Sequence, residues 1–314
     1  MSENKEVMMN NRRFFGKTTI SLSPITLGTM RFSPERIGSK NQALSLLQYL
    51  YEQGVNTYHT SHEYDTHAFF CETFKQFKKK NYAIETTHIV KLAAPHFEET
   101  DFSPIKLEKA IDAQLQELGI EQIDIVQWLF RQKNNIDAIR IPKLIESASQ
   151  ISESFNKLIQ SGKVRAFACF PYSLAFAEAV NKHHLVDGFI DYLNVAERQW
   201  ADLLQYKTMI NSGFIGIRPL FAGKLLKWVE QKEESLALLS GKKMAPNDLV
   251  EWALSYPLLN PQVASIILSI SDMSQANLAI KAGKHSCPAG NNTAFIDTTH
   301  FMTTHFNSLE QKLT

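Results

Sequence analysis

The chain has 314 residues, 44% hydrophobic and 21% charged, with a formal net charge of +1. That length and apolar content are enough to bury a full core, and the near-neutral balance excludes a general field attracting nucleic acid or acidic membrane. Cys71, Cys169 and Cys287 are widely spaced and form no CxxC pair, which points to a reducing compartment.

No run approaches the roughly 18 apolar residues of a membrane span. The opening MSENKEVMMNNRRFF has no apolar stretch of signal-peptide length. The expectation is a cytoplasmic protein with no membrane or nucleic-acid partner and no signal of oligomeric state.

Taken in chain order, residues 12–24, RRFFGKTTISLSP, read as a hairpin that covers one end of the fold. From Pro24 onward, short β-branched runs alternate with segments of helical period, the pattern of βαβ units and a parallel sheet. Eight strands are predicted: Ile25 to Gly28, Thr57 to Ser61, His88 to Leu92, Ile123 to Leu129, Val164 to Phe170, Tyr192 to Ala196, Gly216 to Leu220, and Ser265 to Ser269. Eight are sufficient for a closed (β/α)8 TIM barrel with an N-terminal hairpin.

Gly54, Gly119 and Gly162 stand between helical patterns and strands, where a helix C′ residue needs positive φ. Lys75, Lys78, Lys79 and Lys80 close a helical pattern, and cations there are favoured by the helix dipole. The stretch after the seventh strand is long enough for an extra helix. The expected organisation is one domain over 1–314, with the barrel core at about 24–285 and a tail, 286–314, placed over the barrel mouth. Neither GxGxxG after the first strand nor GxxxxGK[ST] occurs, so a nucleotide is not held by either of those loops.

Active sites of β/α barrels form where the strands end. Tyr64 closes HTSHEY after the second strand and Lys91 lies within HIVKLA on the third. A phenol of pKa near about 10 is a poor acid unless a cation stabilises its anion, and a neighbouring lysine supplies one. The pair can protonate a carbonyl oxygen while hydride reaches the carbon.

GVNTYHTSHEYD resembles the segment G-[VI]-N-x-[IFY]-D-T-[SA]-x-x-Y-G of the aldo-keto reductases. ITLGTM, the Lys91 strand, LGIEQIDIVQ, SGKVRAFACF and GIRPLFAGKL agree with that family in order. The resemblance covers roughly 24–285. It implies a barrel that reduces a small-molecule aldehyde, ketone or sugar with NADP or NAD as cofactor.

Carried over by residue, the family's catalytic Tyr falls on Tyr64 and its Lys on Lys91. The Asp falls on His59, cast as the replacement for the orienting carboxylate, and the His falls on Leu129 or Phe130. Cofactor contacts are expected at Asn194, which matches the family Gln, at Leu220, at Arg218 as a phosphate partner with a surface role as the alternative, and at Ser269, Ser271 and Gln275, where hydroxyls and helix-start N–H groups suit phosphate. Ala168, Cys169, Phe170 and Pro171 stand where the family has Gly-Val-Ser-Asn, and no basic residue follows Ser269 to read a ribose 2′-phosphate.

Trp128, Phe130 and Trp200 are assigned to an apolar substrate pocket, with a core role for Trp128 as the alternative. His59, His62, His67 and His88 complete no metal-ligand spacing with Glu63 and Asp65. A structural role is the expectation for Cys169. Beside the reductase stands a second reading, a barrel repurposed for binding or regulation, because the Asp, the His, the Ser-Asn pair and the 2′-phosphate reader are all replaced.

Overall fold

Arg13–Phe14 (β1) pairs antiparallel with Ser21–Leu22 (β2), the expected hairpin. The computed structural model describes residues 11–81, 84–132, 135–200, 204, 212–225 and 246–285; the tail 286–314, with Cys287, lies outside them. Eight parallel strands follow the hairpin: Ile25–Gly28 (β3), Thr57–Thr60 (β4), Thr87–Ala93 (β5), Ile123–Leu129 (β6), Val164–Cys169 (β7), Gly188–Tyr192 (β8), Gly213–Ile217 (β9) and Val263–Ser269 (β10). They close in chain order, β10 pairing with both β9 and β3.

The described helices are Pro34–Ile37 (α1), Lys40–Glu52 (α2), His67–Lys80 (α3), Pro104–Leu118 (α4), Asp137–Gln160 (α5), Leu174–Lys182 (α6), Pro246–Ser255 (α7) and Met273–His285 (α8). Serines start several of them: Ser39 forms a capping box with Gln42, and Ser103 and Ser173 accept from the third backbone N–H. Gly54, Gly119 and Gly162 have φ of 90°, 66° and 75°, the left-handed geometry expected of them. The lysine cluster closes α3.

Strand alternation sorts the core into two layers. Ile89, Ile125, Ala166, Ala168, Ile190 and Ile215 fill the barrel interior. Their neighbours along the strands, Val90, Val126, Phe167, Cys169, Phe189 and Phe214, pack between barrel and helices. The hairpin closes the amino end with Phe15, fully buried in the interior cluster. A Cβ on Gly188 or Gly213 would come within 2.5 Å or 2.4 Å of the Phe15 ring, so these strands open on glycine to admit it.

Two predicted strands are displaced. The sixth runs over Gly188–Tyr192 and the seventh over Gly213–Ile217, each beginning before its predicted start. Their glycines resemble strand breakers, and Asp191 interrupts the apolar run. The structure uses both features: the glycines receive Phe15, and Asp191 accepts the Trp200 indole N–H at 2.8 Å. After β9 come a 3-10 turn at Phe221–Gly223 and then α7, with 226–245 outside the described residues.

Candidate active site

The chain turns sharply after β4. Ser61 Oγ donates to Lys91 O at 3.1 Å and accepts Glu63 N at 3.3 Å, and Tyr64 N donates to Ser61 O at 3.1 Å. This turn sets Glu63 and Tyr64 against the inward-facing Lys91 of β5. Lys91 Nζ lies 5.1 Å from the Tyr64 ring centroid. The His59 ring lies 6.2 Å from the Tyr64 ring.

All three line one cavity of about 760 Å³ at the carboxyl end of the barrel, which extends past Gln127 and Arg131 to Arg218, Ser269 and Gln275. A volume of that size lies in the range of small-molecule and cofactor sites.

His59 does not orient Lys91, contrary to the expectation. Its Nε2 donates to Gln127 Oε1 at 2.6 Å. Burial, reinforced by the Lys91 charge, pushes its pKa down to about 4 although the Gln127 bond opposes this. The ring is therefore neutral at pH 7.

The carboxylate on Lys91 is Glu63, at 2.7 Å from Nζ, and its other oxygen takes Arg131 Nη1 at 2.6 Å. Burial lowers the Lys91 pKa and Glu63 opposes the fall. The Tyr64 phenol sits above its ordinary pKa in this arrangement. Burial and the Glu63 charge push that phenol up, with Arg131 as the opposing cation. Glu63 was visible in the sequence as an acid adjoining the tyrosine of a chain lacking the usual aspartate.

Alternation decides the one-residue ambiguity at the end of β6. Leu129 lines the cavity, whereas Phe130 is fully buried at 5.8 Å from the Phe176 ring. Trp128 also faces outward, packing on Phe155 and donating to Ala94 O at 2.6 Å. Trp200 is fully buried between Phe189 and Phe214. None of the three predicted pocket aromatics lines the cavity; Phe170, Tyr172 and Tyr192 do.

Asn194 lies two residues beyond β8 and is wholly buried, donating to Glu197 Oε2 at 2.6 Å and Arg218 O at 3.0 Å. It staples the loop and does not line the cavity, because the strand ends earlier than predicted. Arg218, Leu220, Ser269 and Gln275 do line it. Ser271 sits behind them, its backbone N–H at 3.0 Å from Gln275 Oε1.

After β9 the non-glycine residues Arg218, Phe221 and Ala222 hold φ of 57°, 48° and 55°. Each costs on the order of 1–3 kcal/mol, and such strain tends to be kept where a loop grips a ligand.

The histidines diverge. His67 contacts Thr60, Glu117 and Cys71, and His88 turns outward to Thr86 Oγ1 at 3.0 Å. Among the described residues no three His, Cys, Asp or Glu side chains gather to hold a metal. Cys169 is buried in the outer layer.

The sequence model of the aldo/keto reductase family matches residues 24–291. The chain belongs to the aldo/keto reductase family.

As a member it is an oxidoreductase by family, with the family's barrel. It is 24% identical over 293 residues to the L-galactose dehydrogenase of Arabidopsis thaliana, covering 86% of this chain and 87% of that protein. An aldo-keto reductase of Bacillus halodurans, solved in its holo form, is 16% identical with a TM-score of 0.63, over 93% of this chain and 95% of that one. A putative aldo-keto reductase from Pseudomonas aeruginosa is 18% identical at the same TM-score, over 88% and 97%. No described helix is long and apolar enough to cross a membrane.

Proposed function

We propose that this aldo/keto reductase reduces the carbonyl group of a small molecule with NADH or NADPH, and that Tyr64 is its general acid. The observation that carries the reading is the meeting of Tyr64 and Lys91 in the wall of one cavity, 5.1 Å from ring centroid to ammonium. The cavity suits a nicotinamide dinucleotide: Arg218, Leu220, Ser269 and Gln275, all expected cofactor contacts, flank it. When bound, that group supplies the hydride.

The chain's own residues supply the rest. Tyr64 gives its hydroxyl proton to the carbonyl oxygen as hydride reaches carbon, and the phenolate is stabilised by Lys91 as it forms. Glu63 keeps Lys91 in place. The Gln127 amide, whose oxygen is taken by His59, has no protein acceptor for its nitrogen among the described residues, so its N–H groups are free to bind the carbonyl oxygen in place of the absent histidine.

Leu129 in the histidine position favours the second reading, a barrel that binds without turnover. Fluorescence titration separates the two: the reductase reading expects saturable quenching by NADH or NADPH followed by oxidation on an aldehyde and sugar panel. Absence of cofactor binding at millimolar concentration sinks it.

A further inference from the structure

Beside Tyr64 and Lys91 the cavity wall carries a second polar group that carbonyl reduction does not require. Arg131 follows β6 and is fixed on three sides. Its Nε donates to Tyr172 OH at 2.7 Å, its Nη1 donates to Glu63 Oε1 at 2.6 Å, and Phe97 covers its face at 4.9 Å. A guanidinium has five N–H donors, and these two bonds use two. The Nη2 pair meets no protein acceptor among the described residues, although the side chain is only 10% exposed.

Tyr172 is held with φ of 65°, a left-handed conformation uncommon in a non-glycine residue. Its oxygen accepts from Arg131, which leaves the hydroxyl proton available. Charge is unbalanced at this end: Lys91 and Arg131 share the single carboxylate of Glu63, two cations against one anion. A fixed guanidinium with unpaired Nη2 donors, a hydroxyl alongside and an excess positive charge is an arrangement that binds an oxyanion, one oxygen on Nη2 and the other within reach of the Tyr172 hydroxyl.

We infer that Arg131 and Tyr172 form a carboxylate-binding subsite, so that the carbonyl compounds reduced here carry a carboxylate a short distance from the reacting carbon. The turnover part rests on the reductase reading; the binding part does not. Because Glu63 bridges Arg131 and Lys91, an anion on Arg131 lies beside the Tyr64 and Lys91 pair. The aliphatic Leu129 and aromatic Phe170 walls accommodate the carbon skeleton between.

The test uses benzoate and its neutral isostere benzamide as probes of the whole chain by titration calorimetry, and 4-carboxybenzaldehyde against 4-carbamoylbenzaldehyde as substrates with NADH or NADPH. Benzoate is expected to bind at least about tenfold more tightly than benzamide, a difference of about 1.4 kcal/mol. Arg131→Gln should erase that preference. Tyr172→Phe, a milder change at a half-exposed residue, should reduce it several-fold while circular dichroism and melting stay close to those of the parent, which covers the case in which the arginine variant does not fold.

Equal binding of the two probes, or a preference that survives in a folded Arg131→Gln or is untouched in Tyr172→Phe, overturns the subsite. The kcat/KM ratio of charged to neutral aldehyde should exceed about ten and collapse in Arg131→Gln; a ratio near one also overturns it. Preferential benzoate binding with neither aldehyde reduced leaves the subsite standing and removes the reductase reading instead.

Discussion

The Glu63 carboxylate meets the Lys91 ammonium at 2.7 Å, with side chains only 19% and 16% exposed. At this depth a salt bridge is a placement device more than a source of stability, because desolvating both charges offsets much of their attraction. Its partner Arg131 makes Glu63 the hub of the site. Glu63→Gln should leave two neighbouring cations without a counter-charge and cost on the order of 1–3 kcal/mol of stability.

Its kinetic effect has a defined sign. Glu63 raises both the Lys91 and the Tyr64 pKa, so its removal lowers both. The alkaline limb of the kcat/KM profile should move to lower pH in Glu63→Gln, with activity at neutral pH reduced. A limb that stays in place would show that neither group governs it. Glu63→Asp, which keeps the charge but shortens the reach, should restore part of the profile.

Tyr64→Phe tests the acid directly. General acid catalysis contributes about 10²–10⁴-fold, so kcat should fall by that range while the dissociation constant of the cofactor, read by fluorescence, stays near that of the parent. Equal losses in binding and turnover would assign Tyr64 to the pocket wall. Retained turnover would move the proton source elsewhere.

The barrel was legible because its signals are local and repeated. Apolar runs alternate with helical patterns along the chain, and Gly54, Gly119 and Gly162 mark three of the helix ends. Strand limits failed at β8 and β9, where Gly188, Gly213 and Asp191 obey a long-range demand, the seating of Phe15 and Trp200, that no local pattern encodes. Tyr64 and Lys91 were found through strand ends.

Glu63, Gln127 and Arg131 were missed because their roles depend on which strand faces which. His59 was given to Lys91 by position, yet the closed barrel puts Gln127 within its reach. Trp128, Phe130 and Trp200 were read as pocket aromatics because they lie near strand ends. Parity or local packing, which become visible once the strands are registered, turns them into the helix layer.

Cofactor preference follows from the start of α8. Asp272 accepts Gln275 N at 2.8 Å, placing a carboxylate at the helix end whose dipole otherwise favours anions. Ser271 occupies the position where the family resemblance puts a basic 2′-phosphate reader. NADH should therefore bind more tightly than NADPH, by about twofold to fivefold for a surface charge effect of this size. Asp272→Asn should narrow the gap by improving NADPH binding alone, measured by titration at low salt. Tighter NADPH binding in the parent would mean that another cation reads the phosphate.

Asp191 predicts a pH dependence unrelated to catalysis. Its carboxyl is 2% exposed on β8, and burial, aided by the charge of Glu197, pushes its pKa up to about 6 despite the bonds from Trp200 and the Tyr192 amide. In the unfolded chain the value is about 3.9. The folded state thus holds the proton more tightly, so stability declines as pH rises from about 4 to about 6 and stays at the lower level above that. Asn at this position keeps an oxygen for the indole N–H and never ionises. Asp191→Asn should show a flatter stability profile and at pH 8 gain on the order of 1–3 kcal/mol relative to its difference from the parent at pH 4. Thermal melts of both proteins at pH 4, 6 and 8 read this out, and parallel profiles would mean that the Asp191 carboxyl titrates alike in the folded and unfolded chain.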